Sequence, residues 1–132
     1  MKTKFLGVLV VLTSLMIIPV FSSTYYTDED IEFLGEDDGD LVYPTDEVPI
    51  YLEGTLSQNN MTIDCNFYYD LGQVTFKIES QQAKSIVLTE KTIAYKNGTY
   101  TIDIKELEAG NYKISCYSEE LATQVGEFEI RK

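Results

Sequence analysis

Between Val48 and Ile130 apolar and polar side chains alternate in short runs with a period of two. Thr62–Tyr68 sets Ile63, Cys65 and Phe67 against Thr62, Asp64, Asn66 and Tyr68, and Gln73–Ser80 sets Val74, Phe76 and Ile78 against Thr75, Lys77 and Glu79. Successive strand side chains point to opposite faces, so each run predicts a strand with one buried face. Pro49–Glu53, ended by Gly54, predicts another, and Ser85–Thr89 with Thr92–Tyr95 predicts one strand or two short ones carrying Ile86, Leu88 and Ile93. Thr99–Lys105 brings Tyr100, Ile102 and Ile104 to one side; Asn111–Tyr117 does the same for Tyr112, Ile114 and Cys116. Thr123–Ile130 turns Phe128 and Ile130 inward, with Gly126 at an expected bulge. Asp70-Leu71-Gly72 and Leu107-Glu108-Ala109-Gly110 supply turns, and Asn97-Gly98 predicts a tight hairpin because both residues tolerate positive φ. No stretch of helical period interrupts the series. The pattern predicts an all-β fold, a seven-stranded antiparallel immunoglobulin-like sandwich over residues 48–132.

The start of the chain has a different pattern. Lys2 and Lys4 precede a charge-free, largely apolar run from Phe5 to Phe21, closed by Pro19 and the polar Ser22, Ser23 and Thr24. A cationic head, a greasy middle and small residues behind it predict a secretory signal peptide over residues 1–22. Val20 and Ser22 supply small residues at positions −3 and −1, so cleavage is expected after Ser22. An uncleaved N-terminal anchor is the alternative. The first cysteine is Cys65, so no lipid anchor at a new N-terminus is expected. The address is therefore outside the cytoplasm, periplasmic or extracellular, with no membrane anchor after cleavage.

Charge separates the rest into two regimes. From Ser23 to Glu47 there are ten acids and no base; from Val48 onward there are 12 acids and 8 bases. Self-repelling charge with little apolar content predicts a mostly disordered acidic spacer over residues 23–47. Ile31, Phe33, Leu34, Leu41, Val42 and Tyr43 are the residues by which that segment could lie against the domain or a partner. With the leader removed the balance is 8 bases against 22 acids, −14. Such a chain repels nucleic-acid phosphates and anionic membrane surfaces, which excludes both as partners.

The chain has no histidine and no tryptophan. That removes the usual general base of Ser and Cys hydrolases and the commonest ligand of catalytic zinc, while two cysteines are too few for a thiolate cage. No catalytic residue, metal site or cofactor is expected. Cys65 and Cys116 fall at inward positions of the second and sixth predicted strands, which in an immunoglobulin-type sandwich face each other across the core. They are expected to be structural, either as a bridge closing a loop of about fifty residues, favoured by an oxidising compartment, or as two buried thiols. Asp37-Asp38-Gly39-Asp40 clusters carboxylates as a calcium loop does, but lacks the spacing and closing glutamate of an EF-hand and reads as solvated linker. Asn60-Met61-Thr62 and Asn97-Gly98-Thr99 match the glycosylation pattern, although Asn97 already has a turn to make. Among ten tyrosines, Tyr68 and Tyr117 alternate outward and Tyr69 sits at a loop edge; these three are the candidate binding aromatics.

The blocks Leu107-Glu-Ala-Gly-Asn-Tyr-Lys-Ile, Gly98-Thr-Tyr-Thr-Ile and Gly126-Glu-Phe-Glu-Ile resemble a family of small exported Bacteroidetes proteins, domain of unknown function 3244. The resemblance covers about Val48 to Ile130. It implies a signal peptide, a spacer and one immunoglobulin-like sandwich, and no site residues. The acidic spacer and the cysteine pair are not expected of that family. The tail also resembles, faintly, the sandwich domains read as C-terminal sorting signals, but here the sandwich would have no cargo. Three functions stand for comparison. The first is a non-catalytic interaction or structural module that binds another envelope or extracellular protein. The second is a carbohydrate-binding accessory domain using outward tyrosines on a glycan. The third is a secreted protease inhibitor presenting Gln81–Ser85. A sugar binder needs tyrosines coplanar on one open face, a protein binder an apolar patch or unpaired edge strand, and an inhibitor a protruding extended loop.

Overall fold

The alternating segments close into two sheets, and the computed structural model describes residues 27–37, 40–42, 49–119 and 121–132. The signal peptide and its cleavage point after Ser22 lie outside the described residues, as do Asp38, Gly39 and Tyr43. One antiparallel sheet has the order β1 (Glu29–Ile31), β4 (Leu52–Ser57), β5 (Thr62–Phe67) and β8 (Thr99–Asp103). The other has the order β3 (Asp40–Val42), β2 (Leu34–Asp37), β10 (Leu121–Ile130), β9 (Gly110–Ser118), β6 (Gly72–Ser80) and β7 (Ser85–Ala94). Six of these ten strands, β5 to β10, match strands read from the alternation, while β4 overlaps the expected Pro49–Glu53 only at Leu52 and Glu53.

The inward positions are the expected ones. Ile63, Cys65 and Phe67 of β5 meet Val74, Phe76 and Ile78 of β6 and Tyr112, Ile114 and Cys116 of β9, all buried. Tyr112 enters β9 from the Leu107-to-Gly110 turn and donates its hydroxyl hydrogen to the Glu108 carbonyl at 2.6 Å, while its ring stacks on Phe128 at 5.5 Å. A tyrosine bonding back across this corner is a recurring feature of such sandwiches.

The largest correction concerns residues 29–42. The stretch expected to be a disordered spacer contributes β1, β2 and β3, and Ile31, Phe33 and Leu34 are buried. The sandwich therefore begins well before Val48. Burying a large apolar side chain is worth about 1.5–3 kcal/mol, enough to hold a short segment whose Asp30 and Glu32 are exposed. The chain crosses from one sheet to the other between β1 and β2, and Glu29 at the start of β1 is clamped: Arg131 Nη2 lies 2.7 Å from its carboxylate. Buried Gln58 donates from Nε2 to Glu29 at 3.0 Å and to the Glu129 carbonyl at 2.6 Å, and accepts from the Arg131 amide at 3.0 Å.

Two glycines change role for the same reason. Gly54 does not end a strand but lies inside β4, because a Cβ there would come within 3.0 Å of the Phe33 ring. Gly126 is not at a bulge, since β10 pairs β9 regularly from Gln124 to Ile130 and its irregularity falls between Leu121 and Gln124. A Cβ on Gly126 would meet Ile31 Cγ2 at 2.7 Å and the Glu32 carbonyl at 3.0 Å. Asn97-Gly98 is likewise not a hairpin. Only Asn97 of the two has positive φ (66°), and the turn carries the chain from β7 to β8 in the opposite sheet, tied to Phe67 by Asn97 N–H to Phe67 O at 2.8 Å and Phe67 N–H to Gly98 O at 2.9 Å.

Candidate functional site

Ser85–Thr89 and Thr92–Tyr95 form one strand, β7, rich in the β-branched residues that suit a pleated surface. It pairs with β6 from Ser85 to Ala94 and, among the described residues, no strand pairs with its other side. Its inward face is modest: Leu88 packs on the core and Glu90 accepts the Tyr100 hydroxyl at 2.5 Å. The Tyr100 ring in turn stacks on Phe76 at 5.9 Å, so this one bond joins the facing edges of the two sheets. Hydrogen bonding to the Glu90 carboxylate, with burial, pushes the Tyr100 hydroxyl up to about 12. Several apolar residues of β7 also face solvent: Ile86 is 56% exposed, Ile93 48%, Val87 40%, and Tyr95 just beyond the strand 65%, with the exposed Thr89 and Lys91 between the two isoleucines. Large apolar residues exposed on an unpaired edge strand are what a docking edge presents and what other edges avoid.

The aromatic candidates do not converge. Tyr68 donates to Glu53 at 2.8 Å, which raises its hydroxyl pKa, and Tyr69 packs on Tyr51 at 5.4 Å with the rings tilted by 58°. Tyr117 lies in the other sheet, opposite Thr75, and the Lys77 ammonium sits 5.0 Å from its ring centre. No coplanar platform of the kind sugar rings stack on is formed by Tyr68, Tyr69 and Tyr117. Alternation did not single out the exposed face of β7, because its inward residues (Leu88, Glu90, Thr92, Ala94) and its outward ones (Ile86, Thr89, Lys91, Ile93) both mix apolar and polar side chains.

Gln81–Ser85 is not a protruding loop. It is a tight connection between β6 and β7, with Lys84 at φ 53° and its amide on Ser80 O at 2.8 Å, Ala83 N–H on Ser80 Oγ at 3.2 Å and Gln81 N–H on Asn111 O at 3.0 Å.

Cys65 and Cys116 stand where expected, on β5 and β9 of opposite sheets, and both are buried as thiols. Burial pushes both pKa values up, Cys116 to about 12 and Cys65 further, with Cys116 and Asp64 as added causes for Cys65. The thiolate is the nucleophilic form, so neither thiol is reactive here. Asp37 pairs with Asp40 across the β2–β3 hairpin, and among the described residues no three His, Cys, Asp or Glu side chains are grouped to hold a metal. Every buried side-chain nitrogen and oxygen among the described residues has a hydrogen-bond partner.

The family model described as Domain of unknown function (DUF3244) matches residues 36–130. A solved structure similar to this chain is that of a DUF3244 family protein with an immunoglobulin-like β-sandwich fold from Bacteroides vulgatus. It has 14% identity and a TM-score of 0.61, over 80% of this chain and 100% of that one. No curated protein matches the sequence.

Proposed function

The chain belongs to the DUF3244 family of domains of unknown function, and from that premise we propose that it is an exported, non-catalytic protein-interaction module whose recognition element is the β7 edge. The observation that carries this reading is the ten-residue edge strand with Ile86, Val87 and Ile93 turned to solvent. The tilted, separately engaged tyrosines give a carbohydrate-binding role no comparable support, and the tied Gln81–Ser85 turn gives none to a protease inhibitor. Export rests on the sequence of residues 1–22: the leader is cut after Ser22, and the product works in the periplasm or outside the cell without a lipid anchor. In that oxidising setting Cys65 and Cys116 are proposed to close into a structural bridge across the core. The test places a photo-crosslinking residue at Ile93 in the native host, with Glu127 on β10 as the control position, alongside a glycan array. A single protein partner captured from Ile93 and not from Glu127, with no glycan signal, supports the reading. Glycan binding abolished by Tyr68→Ala and Tyr69→Ala would replace it with the carbohydrate-binding one.

A further inference from the structure

The chemistry beside β7 narrows the partner, a step that rests on the β7 edge being the recognition element. Regular pairing with β6 runs from Ala94 to Leu88, where the register shifts and Val87 becomes the extra residue. A bulge leaves its extra residue unpaired and re-aims it. Val87 lines, with Leu88, Leu107 and Tyr112, a groove of about 760 Å3 between the start of β7 and the β8–β9 connection. Its remaining charged lining is Asp103, Glu106 and Glu108 against Lys105 alone, an excess of two negative charges. The groove therefore has an apolar floor and an acidic rim, at one end of an open strand edge, on a chain of net charge −12.

We propose that β7 takes up an extended segment of a partner protein as an added strand along Leu88–Ala94, the segment bearing Lys or Arg toward the acidic rim and an apolar side chain against Val87 and Leu107. Backbone N–H and C=O groups of a free edge give affinity to any extended chain, and side-chain pockets choose among them. The rim makes that choice by charge: an acidic segment meets like charge, and a neutral one gains nothing from the net negative rim. A second copy of this chain is a poor occupant. Antiparallel pairing about a two-fold axis sets one residue opposite itself, and at the middle of β7 that is Glu90 against Glu90 or Lys91 against Lys91.

The experiment titrates the isotope-labelled protein with three synthetic peptides and follows its amide resonances. The probes are an alternating Lys–Val decamer, its Glu–Val counterpart, and the Lys–Val decamer N-methylated at alternate backbone nitrogens. The Lys–Val peptide is expected to shift Leu88–Ala94 and Leu107, the Glu–Val peptide to leave them in place, and N-methylation to weaken binding by about tenfold or more because strand pairing is lost. Glu106→Lys with Glu108→Lys, both at exposed positions, is expected to weaken Lys–Val binding by about tenfold without altering the rest of the spectrum. Equal binding of the N-methylated peptide would overturn strand addition. Glu–Val binding along β7 would overturn the partner chemistry while leaving the β7 edge as the interaction site. Lys–Val shifts confined to Tyr68 and Tyr69 would overturn both readings. No shift with any peptide would overturn this proposal, and crosslinking at Ile93 would then decide the broader one.

Discussion

Replacing Phe33 by alanine tests whether the acidic N-terminal stretch is part of the fold. The ring is 4% exposed, lies where the chain passes from β1 to β2, and stands 3.0 Å from the point a Cβ on Gly54 would occupy. Truncating a buried phenylalanine to alanine costs about 3–5 kcal/mol, the lost transfer energy plus a cavity term. Phe33 sits at the flank of the sandwich, where short strands can settle inward, so the lower end, about 3 kcal/mol, is expected. A small domain holds about 5–15 kcal/mol in all, which makes this a large share. Urea unfolding can be followed by tyrosine fluorescence, since the chain has ten tyrosines and no tryptophan. With a slope of about 1–3 kcal/mol/M, the midpoint should fall by at least about 1 M at unchanged slope. Glu32→Ala, one residue away and exposed, should stay within about 0.5 kcal/mol of the parent. A loss below about 1 kcal/mol for Phe33→Ala would mean that the buried ring holds nothing, and that the charge pattern was right to suggest a tether.

Three further outcomes are expected. Tyr112→Phe keeps the stack on Phe128 and removes the bond to the Glu108 carbonyl, so thermal or urea unfolding should show a loss of about 1 kcal/mol. The Glu29 carboxyl is held below its ordinary 4.5 by hydrogen bonds from Arg131 first and Gln58 second. Its stabilising contribution is thus complete above about 4.5 and is lost as pH falls through the lowered folded value; Arg131→Ala should flatten stability against pH in that acid window and leave the slope above about pH 5 unchanged. In the reduced protein Cys65 and Cys116 should resist a thiol reagent at about pH 8 and both react on unfolding; labelling of the native protein at the rate of an exposed thiol would contradict their burial.

Strands β5, β6, β8, β9 and β10 were legible because each buries one face, and a period of two survives in the sequence wherever burial is one-sided. Residues 29–34 were not. There the count of acids outweighed three apolar residues in a window average, although Ile31 and Phe33 are spaced by two as inward neighbours should be. The decisive signal lay elsewhere in the chain: Gly54 and Gly126 have no side chain because residues 31–33 press against them. A glycine inside a strand marks a bulge or a close approach, and the sequence alone does not say which. The Asn97-Gly98 turn failed for a related reason. Its local chemistry specifies a reversal, but whether the returning strand pairs with its predecessor or with β5 is set by β7 being an edge. The candidate site suffered most, since both faces of β7 mix apolar and polar residues and its inward face lies against a half-open flank.

The two flanks of the sandwich differ in a way that bears on function. On one flank β1, β2 and β3 are three to four residues long and rich in carboxylates, and the chain itself crosses between the sheets there. Short strands with charged side chains are how proteins keep a sheet edge from pairing with another chain. The opposite flank has ten-residue β7, joined to β8 by Glu90 and Tyr100 and carrying exposed Ile86 and Ile93 beside Thr89 and Lys91 on its outer side. Fold stability alone gives no reason for that asymmetry. A Lys or Glu at Ile86 or Ile93 would remove no core contact, since both side chains are about half exposed. An edge that carries Lys91 and a bulge at Val87 yet leaves Ile86 and Ile93 exposed, where replacing them would cost little, beside a groove with its own floor and rim, is better accounted for by a strand that another chain is meant to join.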